Sequence, residues 1–309
     1  MNGLDISFIT VNYNSSAHTI ALVESIRSRV SGQTSYEIIV VDNASEAEDY
    51  NRLHSALEGS PSVKLLRNRI NSGFAGGNML GVNVASGRYY FFINNDCLLL
   101  NDAATVMKEF MESHPDAGAL TAKITDENGN FSSSYKQFPS VVKQWFGNSA
   151  HRMLSKNPFP SNKARLELPA QVEIISGSCM FFRADVFCAL GGLDTVFFLY
   201  CEEEDICKRV WNSGRTVYFL PYAEVFHEGG GSSGTNPALE REFYISYNLL
   251  IDKHFQGLPR MLIKTALFFK LLRRVATKKG GWNIFAFFLR GAPIKESLRY
   301  NQTIRANRP

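Results

Sequence analysis

Glu37-Ile38-Ile39-Val40-Val41-Asp42 is the stretch on which the fold turns. Its branched apolar residues run between two acids without alternation, so neither side of the segment is suited to water. A central strand of a parallel sheet, covered on both faces, has this pattern. Upstream, Asp5 to Val11 is a second short apolar run. Between the two, Ala17 to Arg29 carries Ile20, Ala21, Val23 and Ile26 at helical spacing. Downstream come a helix over Ala47 to Leu57, a strand over Val63 to Arg67 and a Gly-rich turn, Asn71 to Gly77. That turn opens a helix to about Ala85. Tyr89 to Asn94 is a further strand ending in Asn94-Asn95-Asp96. The order βαβαβαβ predicts an α/β fold with a doubly wound sheet, whose ligands lie at the carboxyl ends of the strands.

Polar residues fall where that rule wants them. Asn12 and Asn14 follow the first strand, Asp42 and Asn43 end the second, and Asn95 and Asp96 end the fourth. Each alone reads equally well as a turn or cap residue. Three such sites in register across successive strand ends point to a binding site.

The chain has 309 residues, 45% hydrophobic and 20% charged, enough for one large or two small domains with a real core. A disordered chain, a fibrous repeat and a disulfide-stapled miniprotein are excluded. The net charge of +4 is unevenly spread. From Leu250 onward there are 13 Lys and Arg against 2 Asp and Glu, which leaves 20 against 27 in the rest. A mildly acidic body therefore carries a basic tail, suited to an anionic partner. Cys97, Cys179, Cys188, Cys201 and Cys207 form no CxxC pair and are expected to be buried free thiols.

Residues 125 to 170 are irregular and rich in Ser, Asn, Pro and Lys. They read as an insertion with a short helix near Val141 to Phe146. A second ordered block begins at Val172, with a strand to Arg183, a helix from Ala184, the turn Gly191-Gly192 and then Phe197 to Tyr200. Glu202-Glu203-Glu204-Asp205 opens a helix to about Trp211. Thr216 to Leu220 and Glu224 to Phe226 are strands, and His227 follows. From Leu239 on, the chain reads as helical and basic.

Asp96 at a strand end offers hard oxygen ligands to Mg²⁺ or Mn²⁺, and such a metal acts as a Lewis acid on a departing diphosphate. In the acidic run, adjacent carboxylates raise one another's pKa while a helix N-terminus opposes them. The apolar Phe197 to Tyr200 places these acids at the edge of a buried element, where a carboxylate can serve as a general base. A plain surface helix start would also favour acids there. A neutral His227 imidazole would complete the coordination begun by Asp96. The glycine run after His227 is typical of a loop that orders on ligand binding. Asn71 to Asn78 is neither a GxGxxG fingerprint nor a P-loop, which argues against a dinucleotide oxidoreductase and a P-loop NTPase.

Thr10-Val11-Asn12-Tyr13-Asn14, Val40 through Ser45, Asn71 through Asn78, Asn94-Asn95-Asp96, Gly191 through Asp205 and His227 through Gly231 come in the order found in family 2 glycosyltransferases. Over about residues 5 to 235 the chain resembles the bacterial rhamnosyltransferase-like branch that builds cell-surface polysaccharides. The resemblance implies a Rossmann-like GT-A fold, with a mostly parallel central sheet flanked by helices. It also implies inverting transfer of a sugar, rhamnose by this branch, from a dTDP- or UDP-linked donor to a glycan or polyprenyl-linked glycan. Asp42 matches the acid that hydrogen-bonds the pyrimidine base. Thr10, Asn12 and Asn14, the loop with Asn71, Gly73, Gly76 and Asn78, and Asn94 and Asn95 match nucleotide-sugar-contacting segments. Asp96 matches the retained acid of the DxD metal motif, with Asn94 in place of its first Asp, and His227 matches the third metal-site residue. Glu203 falls on the Asp of the family's Glu-Asp base motif, with Glu202 as its competitor. Asp205 matches a further acid that orients the acceptor. Two rivals are a sugar-phosphate nucleotidyltransferase and a non-catalytic sugar-nucleotide-binding protein.

The expected division is a catalytic domain over 1–238, with a nucleotide-binding half to about 124 and an acceptor half over about 170–238, followed by a basic helical extension over 239–309. Between Leu258 and Lys278, Met261, Leu262, Phe268, Phe269, Leu272 and Val275 share one helical arc with basic residues mostly opposite. Leu267 and Leu271 spoil the polar face. This predicts a helix lying on an anionic membrane surface or packed on the core or a second copy of the chain. Met261 to Leu272, broken by Lys264 and Lys270, falls well short of the roughly 20 residues a span needs. Met1 to Val11 has no basic n-region. A cytoplasmic protein resting on the inner face of the membrane is the expectation. Nucleic acid is not expected, since no recognised module accompanies the charge.

Overall fold

In a computed structural model of the chain, which describes residues 3–154, 159–162, 164–229, 236–277 and 280–302, every residue from Glu37 to Asp42 is buried. The first half runs β1 (Ile6–Asn12), α1 (Ser16–Arg29), β2 (Tyr36–Asp42), α2 (Ala47–Leu57), β3 (Val63–Arg67), α3 (Gly73–Val82), β4 (Tyr89–Ile93), β5 (Cys97–Leu99), α4 (Ala103–Ser113) and β6 (Ala117–Thr125). There follow β7 (Tyr135–Lys136), α5 (Val141–Leu154), β8 (Ala170–Gln171), β9 (Ile174–Ile175), β10 (Cys179–Arg183), α6 (Ala184–Ala189), α7 (Glu202–Asn212) and β11 (Thr216–His227). The chain closes with α8 (Pro237–His254), α9 (Gly257–Thr277) and α10 (Gly281–Leu289).

The main sheet has the order β3-β2-β1-β4-β10-β6-β11-β5, with β8 added beside β11. Strands β3, β2, β1 and β4 are parallel, β10 runs antiparallel between β4 and β6, and β6 and β11 are parallel. Alternation along β2 explains its unbroken apolar run. Ile38 and Val40 face a core that includes Leu22 and Leu53 of the helices on that side. Ile39 and Val41 face the opposite core, with Ala75, Phe187 and Ile206. Each face carries its own helical layer, as a doubly wound sheet requires. The register pairs Asn12 with Asp42, so the polar ends of β1 and β2 open at one rim.

The structure revises several local expectations. Val172 to Arg183 is not one strand: it breaks into β9 and β10 around the Gly177-Ser178 turn. Thr216 to His227 is one strand, with an irregularity between Leu220 and Glu224 that accommodates Pro221. The helix expected near Val141 to Phe146 extends to Leu154, kinked at Gly147. Cys188 is exposed, because the short α6 turns Val186 and Phe187 inward instead; the other four thiols are buried. The boundary expected at 238/239 falls inside α8, which packs on the preceding segment through Leu250 against Phe197 and Cys201.

The two residues that spoil the polar face of α9 have a structural role. Leu267 and Leu271 are buried against Tyr244, Ile284 and Phe285. Leu258, Met261, Phe269 and Leu272 are exposed. The helix therefore has two apolar faces, one packed on the chain and one outside.

Candidate active site

Asn12, at the end of β1, is fully buried. Its Nδ2 donates to Asp42 Oδ1, Ser45 Oγ and Asp49 Oδ2, each at 3.0 Å, and its Oδ1 accepts from the Thr19 hydroxyl at 2.8 Å. Asp42 is fully buried as well and also accepts from the Ser45 backbone N–H at 3.3 Å. Thr10 is buried, and its hydroxyl has no hydrogen-bond partner. Thr10, Asn12 and Asp42 thus form the inner wall of the rim. Asn14 is exposed and adopts φ +53, with its Oδ1 accepting from the Glu46 N–H at 2.7 Å. Asp49 was not singled out in the sequence. It caps α1 by accepting from the Ser16 N–H and hydroxyl at 2.9 and 2.7 Å. Burial opposes its charge, but these bonds and Asn12 leave its carboxyl below the ordinary value.

Asn43 ties down the glycine-rich loop. Its Nδ2 donates to Asn71 Oδ1 at 2.9 Å and Gly73 O at 3.0 Å, and its Oδ1 accepts from the Ser72 N–H at 3.0 Å and Asn68 Nδ2 at 2.9 Å. Gly73 has φ +76, and a Cβ there would lie 2.0 Å from Phe198 O. Only glycine permits that approach, in which the Phe74 N–H donates to Phe198 O at 2.8 Å. The loop is thereby fastened to the segment that leads into α7. Gly76 packs on Ser72, and Asn78, buried, donates to Phe74 O within the helix. Asn78 therefore shapes the loop from behind.

The backbone N–H of Asn94 donates to Ser178 O at 3.0 Å. Asn95 turns toward α1, donating to Ser15 Oγ at 2.6 Å and Thr19 Oγ1 at 2.9 Å. Asp96 lies beside the end of β11. His227 Nε2 stands 3.2 Å from Asp96 Oδ1, and that buried oxygen has no hydrogen-bond partner. Burial works against the charge of Asp96, but the neighbouring His227 holds it below the ordinary carboxylate value. Cys97 Sγ completes a group of potential ligand atoms all within 4.8 Å of one another. Burial pushes the Cys97 thiol well up, however, and it donates to Ser178 O at 3.5 Å, so it is no thiolate. An orphaned carboxylate oxygen beside an imidazole fits a Mg²⁺- or Mn²⁺-type ion better than a thiolate-seeking one.

Tyr200 and Cys201, at φ +72 and +70, turn the chain sharply into α7. Five described non-glycine residues have positive φ, and four of them (Asn14, Ala44, Tyr200, Cys201) flank this region; such strain concentrates at functional sites. Glu203 Oε1 accepts from Lys136 Nζ at 2.9 Å. The Glu203 carboxyl carbon lies 3.6 Å from where a Cβ on Gly177 would stand. Gly177 precedes the Ser178 that bonds Asn94, so the base candidate and the Asn94-Asn95-Asp96 turn share one border. Glu202 is buried, and burial followed by the charge of Glu203 raises its carboxyl well above the ordinary value. Glu204 is pushed up to about 7 for the same reasons.

Asp205 does not open into the cleft. It is fully buried and held by Arg209 at 2.6 Å, Lys253 at 2.7 Å and His254 at 2.8 Å. These contacts make Asp205 a pin between α7 and α8. Of the glycine run after His227, Gly230 to Gly234 lie outside the described residues.

Comparison with known proteins gives the family and the fold. The chain is 32% identical over 146 residues to the N-acetylglucosaminyl-diphospho-decaprenol L-rhamnosyltransferase of Mycobacterium tuberculosis, covering 45% of this chain and 47% of that one. It is 26% identical to the rhamnosyltransferase WbbL of Escherichia coli K12, covering 46% and 53%. The matches thus span about half the length of these relatives. Among solved structures, GalNAc-T7 with UDP, GalNAc and Mn²⁺ superposes with a TM-score of 0.60 at 17% identity, over 81% of this chain and 48% of that one. This likeness is one of fold, the GT-A glycosyltransferase architecture. The pattern of glycosyl transferase family 2 matches residues 7–191, and the chain belongs to that family.

Proposed function

We propose that the protein is an inverting glycosyltransferase. It moves a sugar from a nucleoside diphosphate donor, dTDP- or UDP-linked, to a hydroxyl of a glycan or lipid-linked glycan. The names of its relatives support rhamnose as that sugar and surface-polysaccharide synthesis as the setting. The observation that carries the reading is the shared rim. The Asp96–His227 pair lies at the carboxyl end of β4, and Glu203 borders the Gly177-Ser178 turn bonded to Asn94.

The nucleotide end of the donor lies along the loop that Asn43 fixes, with Asn14 and Asn71 as accessible polar contacts and Asn12 and Asp42 shaping the wall behind. Asp96 and His227 would hold a divalent cation, Mg²⁺ or Mn²⁺, which supplies charge neutralisation to the diphosphate. Glu203 accepts the proton of the acceptor hydroxyl as that oxygen bonds the anomeric carbon and the bond to the diphosphate breaks. Glu203 suits this role better than Glu202, because its carboxylate faces a lysine, whereas burial and the charge of Glu203 raise the carboxyl of Glu202. Inversion needs one displacement and no covalent enzyme intermediate.

The exposed face of α9 supports a resting place on an anionic bilayer, on the cytoplasmic side by the same reading. No helix of the described residues is long and apolar enough to cross a membrane. Exposed Met261, Phe269 and Leu272 lie on a helix with five basic residues and no acid, the mixture that binds an interface from one side.

Incubation with a panel of nucleotide sugars and Mg²⁺ or Mn²⁺ tests the activity. Release of nucleoside diphosphate supports transfer. Release of pyrophosphate would make the protein a nucleotidyltransferase. Binding without release, even with acceptor glycans present, would make it a non-catalytic binder.

A further inference from the structure

Three consecutive carboxylates, Glu202, Glu203 and Glu204, open α7 in a largely buried setting, and among the described residues one ammonium, that of Lys136, makes ion-pair contact with them. Its Nζ is 2.9 Å from Glu203 Oε1 and 3.8 Å from Glu204 Oε1. The Oε2 atoms of Glu202 and Glu204 are buried and accept no hydrogen bond. Three anions this close cannot all persist in a low-dielectric place, so the geometry must select which one keeps its charge.

The placement of Lys136 is built into the fold. Tyr135 and Lys136 form β7, which pairs with β9 as Tyr135 with Ile175 and Lys136 with Ile174. Strand alternation sends Tyr135 inward, where it is buried and its hydroxyl donates to Ala164 O at 2.6 Å. The next residue is therefore turned outward, toward the acidic end of α7. The same β9 leads directly into Gly177, against which Glu203 packs. One small two-stranded sheet thus presents both walls that confine the Glu203 carboxylate.

We propose that Lys136 is a positioning residue for the general base: its ammonium selects Glu203 as the carboxylate that stays ionised and sets the pH range in which that base works. This rests on the reading of Glu203 as base. Lys136 keeps its own proton throughout. The proton of the acceptor hydroxyl passes to Glu203 and then to solvent. Without Lys136, no ion-pair contact among the described residues singles out Glu203 from its two neighbouring carboxyls.

Other titratable groups surround the acids: His151, Glu173, Lys208 and His254 line a cavity with Glu204, and none of them is in ion-pair contact with Glu203. Cys201, in the turn before α7, and Cys207, on α7, are raised by burial and stay thiols. Tyr247 on α8 is raised by burial and receives a hydrogen bond from Gln144 at 2.7 Å. Lys143 on α5 is lowered by burial, with Glu173 and Glu204 opposing, and donates to Gln137 O at 2.7 Å. Among the described residues, Lys136 is the one cation in ion-pair contact with Glu203. Its side chain is 43% exposed, so replacing it leaves the core intact.

The test is the pH dependence of turnover in the full chain, using whichever nucleotide sugar of the panel releases diphosphate fastest. It compares wild type, Lys136→Met, Lys136→Arg and Glu203→Gln. Lys136→Met is expected to move the acid limb up by about one unit, a loss of about tenfold at pH values below the limb that is recovered as pH rises. Lys136→Arg keeps the wild-type profile. A readout free of activity is the ¹³C-carboxyl titration of Glu203, assigned by its disappearance in Glu203→Gln; its midpoint should rise in Lys136→Met. If Lys136→Met does not fold, Lys136→Gln takes its place. An unmoved midpoint and an acid limb unchanged in shape overturn the proposal, even with Glu203→Gln inactive. Full activity in Glu203→Gln would instead sink the base assignment itself.

Discussion

His227 Nε2 stands 3.2 Å from Asp96 Oδ1 because the antiparallel pairing of β11 with β5 sets His227 opposite Cys97. The contact joins the last residue of one strand to the turn before another, so strand register sets its geometry. Asp96→Ala leaves the register untouched and removes the oxygen. It is expected to lower turnover by about 100-fold or more and to weaken Mn²⁺ binding, measured by calorimetry with UDP present. Retention of both rate and Mn²⁺ affinity would remove Asp96 from the metal site.

Glu203→Gln and Glu202→Gln should behave in opposite ways. Burial and the charge of Glu203 raise the Glu202 carboxyl and so favour its neutral form, which an amide closely resembles. Glu202→Gln should therefore stay within a few-fold of wild-type turnover. Glu203→Gln should lose about 100-fold or more while donor affinity is unchanged. Donor binding by calorimetry and diphosphate release decide the pair, and the reverse ranking would move the base to Glu202.

Asp205 contributes to stability in a defined pH window. Burial opposes its charge, but His254, Lys253 and Arg209 together bring it down to about 2 from an ordinary 3.8. A depressed carboxylate stabilises the fold above its unfolded value and loses that contribution as pH falls through the folded one. The window is thus roughly pH 4 to 2, with a magnitude on the order of 2 kcal/mol. Asp205→Asn also leaves Arg209 and Lys253 facing an amide, and should cost about 3 kcal/mol at pH 7. Urea unfolding should show the gap to wild type narrowing between pH 7 and pH 3. A gap independent of pH would remove the ionic role.

Gly73 separates a steric requirement from a conformational one. Its φ of +76 resembles the +73 of Gly59, but a Cβ at Gly59 would meet nothing within 4 Å. Gly59→Ala should cost about 1 kcal/mol from backbone strain alone. Gly73→Ala must also displace Phe198, and should cost about 2 kcal/mol or more and raise the donor KM. Equal effects at the two positions would show that the close approach to Phe198 O carries no weight.

The legible parts of the chain are those whose environment is local. Ile38 to Val41 announce a strand covered on both sides, and Asn12, Asp42 and Asp96 announce strand ends, because those signals need only neighbouring residues. Lys136 was invisible because its stretch has no periodicity. Its meaning arises only when β7 pairs with β9. Asp205 looked like one more acid of a run at the edge of a buried element, and its partners Lys253 and His254 come from a later helix. Leu267 and Leu271 looked like flaws in an amphipathic pattern because a helix with two apolar faces has no clean polar arc. Thr216 to His227 looked like two strands because Pro221 signals an end, unless an irregularity absorbs it.

The outer face of α9 makes the last prediction. Trp145 packs on Phe269 with ring centroids 6.0 Å apart, and its indole N–H donates to Leu262 O at 3.0 Å. The aromatic surface is therefore braced by α5 rather than left to collapse. Phe269 is 51% exposed and Trp282 60%, while Lys270 and Arg273 are exposed beside them. Apolar insertion and charge attraction add in such a surface, and only the second is screened by salt. The full chain should cosediment with phosphatidylglycerol vesicles more than with phosphatidylcholine vesicles, and less at high salt. Lys270→Glu with Arg273→Glu should cut that binding by about 30-fold or more, since each basic residue near the surface is worth about 1 kcal/mol. Phe269→Ser with Trp282→Ser should lower binding at every salt concentration. Equal partition onto both vesicle types would rule out the anionic surface. A concentration-dependent dimer that these variants dissolve would assign the face to a second copy of the chain.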